Sequence, residues 1–182
     1  MAIKTIFKLG FMLAALCQAL PAVYAETAGT PGVLLAPGLE IVLPDSLKLE
    51  LGDEANPLKQ PMVIGEVAGK PGYFIAAVKI KSWEKNSVLW RRLETEIRKQ
   101  SSDQSFNLIQ TGHFVTHSND PVHFRIYEYQ TATQTQRQVY FLLNSQRLSY
   151  WITLTMTDEV DTSIAIPLTK ALIRRARIHG AD

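Results

Sequence analysis

The chain has 182 residues, of which 46% are hydrophobic and 20% are charged, proportions that are typical of a folded globular domain and not of a disordered chain. Its 19 basic residues exceed its 17 acidic residues by two, and Lys4 and Lys8 near the N-terminus account for that excess. The remaining chain is neutral, which argues against a nucleic-acid partner or an anionic membrane surface, because both require a basic excess on one face.

The N-terminal segment predicts a secretory signal peptide. Lys4 and Lys8 precede an apolar run at residues 9–20, and the sequence Val-Tyr-Ala ending at Ala25 offers a cleavage site. The alternative is a retained membrane anchor, but a spanning helix takes ~20 apolar residues and this run is shorter. We therefore expect cleavage after Ala25, removal of residues 1–25, and no transmembrane anchor in the mature protein.

Cys17 raises the alternative of a lipoprotein, in which an acylated cysteine tethers the mature chain. That processing requires a small residue directly before the cysteine, whereas Leu16 stands there and Cys17 lies inside the apolar run. With Cys17 removed, the mature chain has no disulfide, no thiol nucleophile and no thiolate metal ligand.

The mature chain begins with residues 26–38, which are rich in Gly, Pro and Thr and predict a flexible N-terminus. Alternating or continuous apolar runs then predict strands over 39–43, 47–51, 62–67 and 73–81. The glycine-containing turn at 68–72 joins the last two into a hairpin.

A first amphipathic helix follows. Asn86 and Ser87 can both cap its start, and apolar residues then recur at helical spacing, at Leu89, Trp90, Leu93 and Ile97. Further strands are predicted over 106–117 and 122–132.

Residues 137–156 predict a hairpin at the centre of the sheet. Phe141 lies on one apolar face of its first strand, and Tyr150 and Ile152 lie on one face of its second. A four-residue loop at 144–147 pairs Phe141 with Tyr150 and joins the two faces.

A second helix begins near Asp161 or Ser163, either of which can act as its N-terminal cap. Its apolar positions are four residues apart, and Pro167 falls in its first turn, where a missing N–H is tolerated. The order of elements predicts one α+β domain at 39–178, an antiparallel β-sheet covered on one face by two amphipathic helices.

Two stretches carry a resemblance to a known family: residues 38–45, GLEIVLPD, and residues 139–178 with their hairpin and closing helix. Together with the export signal they resemble the PsbP-like superfamily and, within it, the DcrB-type bacterial envelope proteins. The resemblance implies a PsbP-like sandwich in a bacterial periplasm, acting as an accessory or partner-binding protein without a cofactor or established catalytic residues.

Four aromatic residues point away from the face that holds Phe141 and Ile152: Tyr127, Tyr129, Tyr140 and Trp151. If both helices cover the first face, these residues line the other one as a binding surface for an envelope protein partner or a small ligand, since Tyr and Trp combine apolar area with a polar group. The alternative is that strands or loops cover them as a second core, because large exposed apolar patches are uncommon.

The histidines allow one weak metal hypothesis. An odd-length loop between the strands at 106–117 and 122–132 pairs His117 with His123, and Asp120 lies nearby in that loop. Two histidines without a secure third ligand make a thin site, so a solvent-facing polar pair is the simpler interpretation and we expect no metal.

No catalytic motif is present: the sequence has no nucleophile elbow and no Gly-rich phosphate loop. The leading hypothesis is therefore a non-catalytic periplasmic binding or accessory protein. One alternative is a periplasmic immunity or chaperone-like protein for one cognate partner. The other is a metal-binding or hydrolytic protein that uses His117, His123 and Asp120.

Overall fold

The computed structural model describes residues 32–50, 61–80, 84–145 and 148–179, all within the unit Pro31–Asp182. The predicted signal peptide, its cleavage site after Ala25 and Cys17 lie outside the described residues. So do residues 26–31 of the predicted flexible N-terminus, Leu51 and Lys81 at the ends of two predicted strands, and residues 146–147 of the predicted hairpin loop.

The described residues form ten strands and two helices. The strands are β1 (Val33–Ala36), β2 (Leu39–Ile41), β3 (Leu47–Glu50), β4 (Met62–Val67), β5 (Lys70–Ile80), β6 (Asn107–Val115), β7 (Pro121–Gln130), β8 (Thr135–Asn144), β9 (Ser149–Met156) and β10 (Arg177–Ile178). The helices are α1 (Asn86–Gln100) and α2 (Thr162–Arg174).

Seven of these strands form one antiparallel sheet in the order β3-β4-β5-β9-β8-β7-β6. β9 is the middle strand and β8 lies beside it, which confirms the prediction that their hairpin occupies the centre of the sheet. Consecutive strands joined by short turns pair with one another in this way because the connection is too short for a crossover.

The register of the central hairpin differs from the predicted one by two residues. Phe141 pairs with Ile152, not with Tyr150, and the last pair is Asn144 with Ser149. The Ser149 hydroxyl donates a hydrogen bond of 2.9 Å to Asn144 Oδ1, and this bond stabilises the shifted pairing. Because a shift of two residues leaves the alternation unchanged, Phe141 and Ile152 still share a face.

The two helices lie on opposite faces of the seven-stranded sheet, so the prediction that both cover one face is wrong. On the face of Tyr73, its hydroxyl is hydrogen-bonded to Thr169 of α2 at 2.7 Å. On the other face, the rings of Trp90 in α1 and Trp151 in β9 are 4.7 Å apart.

The physical reason lies in β8. Its residues Val139–Leu143 are all buried, although neighbouring side chains of a strand point to opposite faces. Both faces of the central strands are therefore apolar, and a helix must pack on each face to keep it from water.

The segment predicted to be flexible contains a strand instead. β1 pairs with β2, and β10 pairs with the other side of β2, which gives a second, three-stranded sheet. Leu35 and Ala36 are buried, and the Tyr150 hydroxyl of β9 donates a hydrogen bond of 2.9 Å to the Pro37 carbonyl. The apolar sequence of β1 thus outweighs the Gly and Pro residues that surround it.

The helix starts agree only in part with their predicted caps. Asp161 accepts a hydrogen bond of 2.8 Å from the Ser163 N–H and caps α2 as predicted. α1 begins after Lys85, without a side-chain cap, so neither Asn86 nor Ser87 has the predicted role. Within the described parts of the chain, neither helix combines the length and apolarity needed to cross a membrane.

Candidate functional site

Three of the four predicted surface aromatics lie beneath α1. The exposed fractions of Tyr127, Tyr129 and Tyr140 are 0%, 4% and 8%, and the three rings pack in a cluster with Leu89, Trp90, Ile97 and Leu142. The prediction that they form an open binding surface is therefore wrong. The alternative of a second core holds, although a helix covers it and not strands or loops.

The hydroxyl of Tyr127 is used inside this core. It donates a hydrogen bond of 2.8 Å to Glu94 Oε1 on α1, and the same oxygen accepts a bond of 2.7 Å from Arg125. Burial raises the pKa of Tyr127 to about 12, so the phenol stays a hydrogen-bond donor at neutral pH. This arrangement attaches α1 to the sheet and leaves no polar group of Tyr127 for a partner.

Tyr129 and Tyr140 share one acceptor. Both hydroxyls donate to Gln138 Oε1, at 2.9 Å in the case of Tyr129. The side-chain amide of Gln138 donates in turn to Thr155 Oγ1 at 3.1 Å. Burial raises the pKa of both phenols, so these groups too act as neutral donors in a buried network.

Trp151 is the one member of the predicted aromatic set that is only partly buried. Its ring meets that of Trp90 edge to face, at 4.7 Å and an interplanar angle of 75°. Its open side lines a groove of about 360 Å³ between α1 and the sheet, which we call the α1 groove. The other residues that line it are Ile80, Glu84, Leu89, Arg92, Leu93 and Glu96.

Charged groups stand around the apolar floor of the α1 groove. Arg92 Nη2 lies 3.0 Å from Glu84 Oε1, and Glu96 pairs with Lys99 at 2.7 Å. The second oxygen of Glu84 is buried and has no hydrogen-bond partner within the described ranges. Buried polar atoms are nearly always paired, so this carboxylate has an acceptor to offer if its side chain turns toward the groove.

A second depression of about 310 Å³ lies on the same face of the sheet, beyond α1. It is lined by Met62, Phe74, Ala76, Val78, Gln138, Thr153 and Thr155. Val78 at its floor is 47% exposed, but no charged side chain lines this depression.

The histidines are not arranged as predicted. His123 pairs with His113, with ring centroids 6.3 Å apart, whereas His117 lies in the turn after β6. Hydrogen bonds between Thr116 and Asp120 close this turn, and the His117 N–H donates to the Arg174 carbonyl at 2.8 Å.

The weak candidate metal set His117, His123 and Asp120 is therefore wrong in its pairing. Across the part of the chain that the structure describes, no group of three or more His, Cys, Asp or Glu side chains is placed to hold a metal ion.

No protein-family model matches the chain, and no curated protein sequence matches it. Solved structures do. One is cyanobacterial PsbP (CyanoP) from Synechocystis sp. PCC 6803, with a TM-score of 0.58, 8% identity, and coverage of 87% of this chain and 99% of that chain. Another is LpqN, a protein involved in cell envelope biogenesis of Mycobacterium tuberculosis, with a TM-score of 0.53, 13% identity, and coverage of 82% and 90%.

Both structural matches span most of each chain at very low sequence identity, so they show the fold alone. An antiparallel sheet with two helices, matched over nearly the full length of CyanoP, agrees with the resemblance found in the sequence. This chain has a PsbP-like fold.

Proposed function

We propose that this protein is a non-catalytic binding or accessory protein of the bacterial periplasm, and that it engages a protein partner through the α1 groove. The observation that carries the proposal is the partly buried Trp151 at the floor of an apolar groove with charged residues at its rim. Tryptophan is, with tyrosine and arginine, among the residue types that dominate the free energy of binding at protein interfaces.

The composition of the groove supports this choice. Its apolar floor offers area that a partner side chain can cover, while Arg92, Glu84 and Glu96 supply the polar rim that gives an interface its orientation. A groove of about 360 Å³ also falls within the range of small-ligand sites, so a small ligand is the other occupant that the experiment must distinguish.

The cellular setting is part of the proposal. The basic residues, apolar run and Ala25 cleavage site support export, and one structural neighbour, LpqN, is described as involved in cell envelope biogenesis. A closer relation to the DcrB-type envelope proteins belongs to the same proposal. Amino-terminal sequencing of the exported protein is expected to begin at Glu26.

Site-specific crosslinking tests the groove. A photoreactive amino acid at Leu93, inside the α1 groove, is expected to crosslink one envelope protein in living cells. The control places the same group at Ile164, an exposed residue of α2 on the opposite face of the sheet. Adding Arg92→Glu, an exposed change that reverses the charge at the rim, is expected to abolish the crosslink.

Equal crosslinking from positions 93 and 164 contradicts the proposal, because it means that the groove gives no selectivity. If mass spectrometry finds a small-molecule adduct at position 93 and no protein adduct, the occupant of the groove is a small ligand and the proposed protein partner is wrong.

A further inference from the structure

β6 is an unprotected edge of the seven-stranded sheet. It pairs with β7 on one side only, and no described segment pairs with its outer side. Three of its apolar side chains, Leu108, Ile109 and Val115, are 45%, 51% and 52% exposed. An edge strand presents a row of backbone N–H and C=O groups that can accept another strand.

The opposite edge of the sheet is protected. In β3, as far as the structure describes it, the exposed Lys48 and Glu50 form an ion pair of 3.3 Å. Charged side chains are one of the usual means by which proteins prevent edge-to-edge pairing. β6 has nine residues, NLIQTGHFV, with no Lys, Arg, Asp or Glu among them. Its one protective feature is the bulge between Leu108 and Gln110, which leaves residues 110–115 regular.

We propose that β6 pairs with β6 of a second copy of this chain, so that two seven-stranded sheets join into one continuous antiparallel sheet. The uncharged sequence argues for a second copy over a foreign strand. In a self-pair a residue on the axis lies opposite its own copy, and a residue next to the axis lies diagonally across from its own copy. Charged residues at these positions therefore meet like charges, which is unfavourable. A foreign partner imposes no such restriction, and β6 meets the restriction along its whole length.

Antiparallel pairing of two identical strands allows one kind of symmetry. Antiparallel strands from two copies are related by a two-fold axis perpendicular to the sheet, so every residue keeps its face. With the axis near Gly112, Thr111 of one copy lies opposite His113 of the other, and Gln110 lies opposite Phe114. The regular segment after the bulge is long enough to supply these pairs.

Sedimentation velocity over a range of concentrations tests the inference on the exported protein. The wild-type chain is expected to shift from monomer to dimer as its concentration rises. Thr111→Glu is expected to weaken the dimer about tenfold or more, because it places two carboxylates beside the axis. Thr111→Lys is expected to do the same, and an equimolar mixture of the two variants is expected to restore dimers.

The mixture also serves as the folding control, since a variant that failed to fold could not regain the dimer. Lys48→Glu on β3 is the matched control at the other edge and is expected to leave the dimer unchanged. A chain that stays monomeric at all concentrations overturns the proposal, as does a dimer that survives both Thr111 variants. A monomer whose β6 accepts a foreign extended peptide overturns it as well.

Discussion

Asp103 closes the turn that follows α1, and three hydrogen bonds converge on its carboxylate. Ser101 Oγ donates to it at 2.6 Å, and the N–H and hydroxyl of Ser105 donate at 3.0 and 2.7 Å. Donors of this kind stabilise the charged form of a carboxyl group. Led by the Ser101 bond, they lower the pKa of Asp103 from 3.8 to about 2.

The sign of the resulting pH dependence follows from that direction. The pKa is lower in the folded state, so the contribution of Asp103 to stability is complete above pH 3.8 and is lost as the pH falls toward about 2. We expect Asp103→Asn to flatten the loss of stability in this window. The measurement is the carboxyl titration by NMR together with urea unfolding at several pH values. A midpoint near 3.8 for Asp103 contradicts the prediction.

At this same scale, the sequence predicts the faces of residues better than their partners. Phe141 was placed on the correct face but opposite Tyr150, whereas it pairs with Ile152. Side-chain alternation fixes only whether two residues share a face, and a slip of two leaves that answer unchanged. The offset is set by bonds such as Ser149 to Asn144, which no periodicity reveals.

At the scale of elements, Glu94 is one of the side chains that attach α1 to the sheet. It accepts hydrogen bonds from Tyr127 and Arg125, both on β7. Arg125 also stacks over the Trp90 ring, with Cζ 4.5 Å from the ring centroid. Two other α1 side chains also bond to the sheet, since Gln100 accepts from the Tyr129 hydroxyl at 3.4 Å and Asn86 accepts from the Asn144 side chain at 3.2 Å. The helix is thus held by several polar contacts together with its apolar stripe.

We expect Glu94→Ala to lower the free energy of unfolding by about 1–3 kcal/mol, because it leaves the buried Tyr127 hydroxyl without its acceptor. The control is Glu96→Ala on the same helix, whose exposed pair with Lys99 is worth less than ~1 kcal/mol. Urea unfolding followed by tryptophan fluorescence measures both. Equal losses for the two variants would show that Glu94 is an ordinary surface residue.

The positions of most strands and helices along the chain are predictable from the sequence. The face of the sheet that each helix covers is not. The strand at 62–67 follows from its apolar run and the turn residues after it, and α1 follows from the spacing of its apolar residues. The face that α1 covers depends on contacts such as Trp90 with Trp151, which lie far apart in the chain. The available signal was the continuous apolar run Val139–Leu143, since a strand exposed on one face alternates.

The candidate site shows the same limit. Trp151 and the three tyrosines were correctly assigned to one face, but the position of α1 decides that the tyrosines are core and that only Trp151 borders a groove.

At the scale of the whole molecule, the backbone amides of the sheet are expected to be most protected from hydrogen exchange in the middle strands and least protected at the edges. β9 has a neighbour on each side and helices on both faces of the sheet, whereas β3 and β6 are edges. Backbone amides in the interior open only with global unfolding, while edges open locally.

We therefore expect hydrogen exchange to be slowest in β9, β8 and β5 and fastest in β3 and β6 at concentrations where the protein is monomeric. Raising the concentration is expected to slow exchange in β6 and to leave β3 unchanged, if two copies pair as proposed. Exchange measured by NMR or mass spectrometry resolves these strands. Fast exchange in β9 would contradict the arrangement of the sheet.

The three-stranded sheet brings the first and last described strands close enough to allow a different chain connectivity. β1 and β10 flank β2, with Val33 beside Ile41 and Ile178 beside Leu39. Two strand spacings of ~4.8 Å and two residues of ~3.4 Å put the start of β1 roughly 12 Å from the end of β10. A linker of a few residues spans that gap, so a circular permutant opened at the exposed Ala68–Gly69 turn retains every strand pair described here.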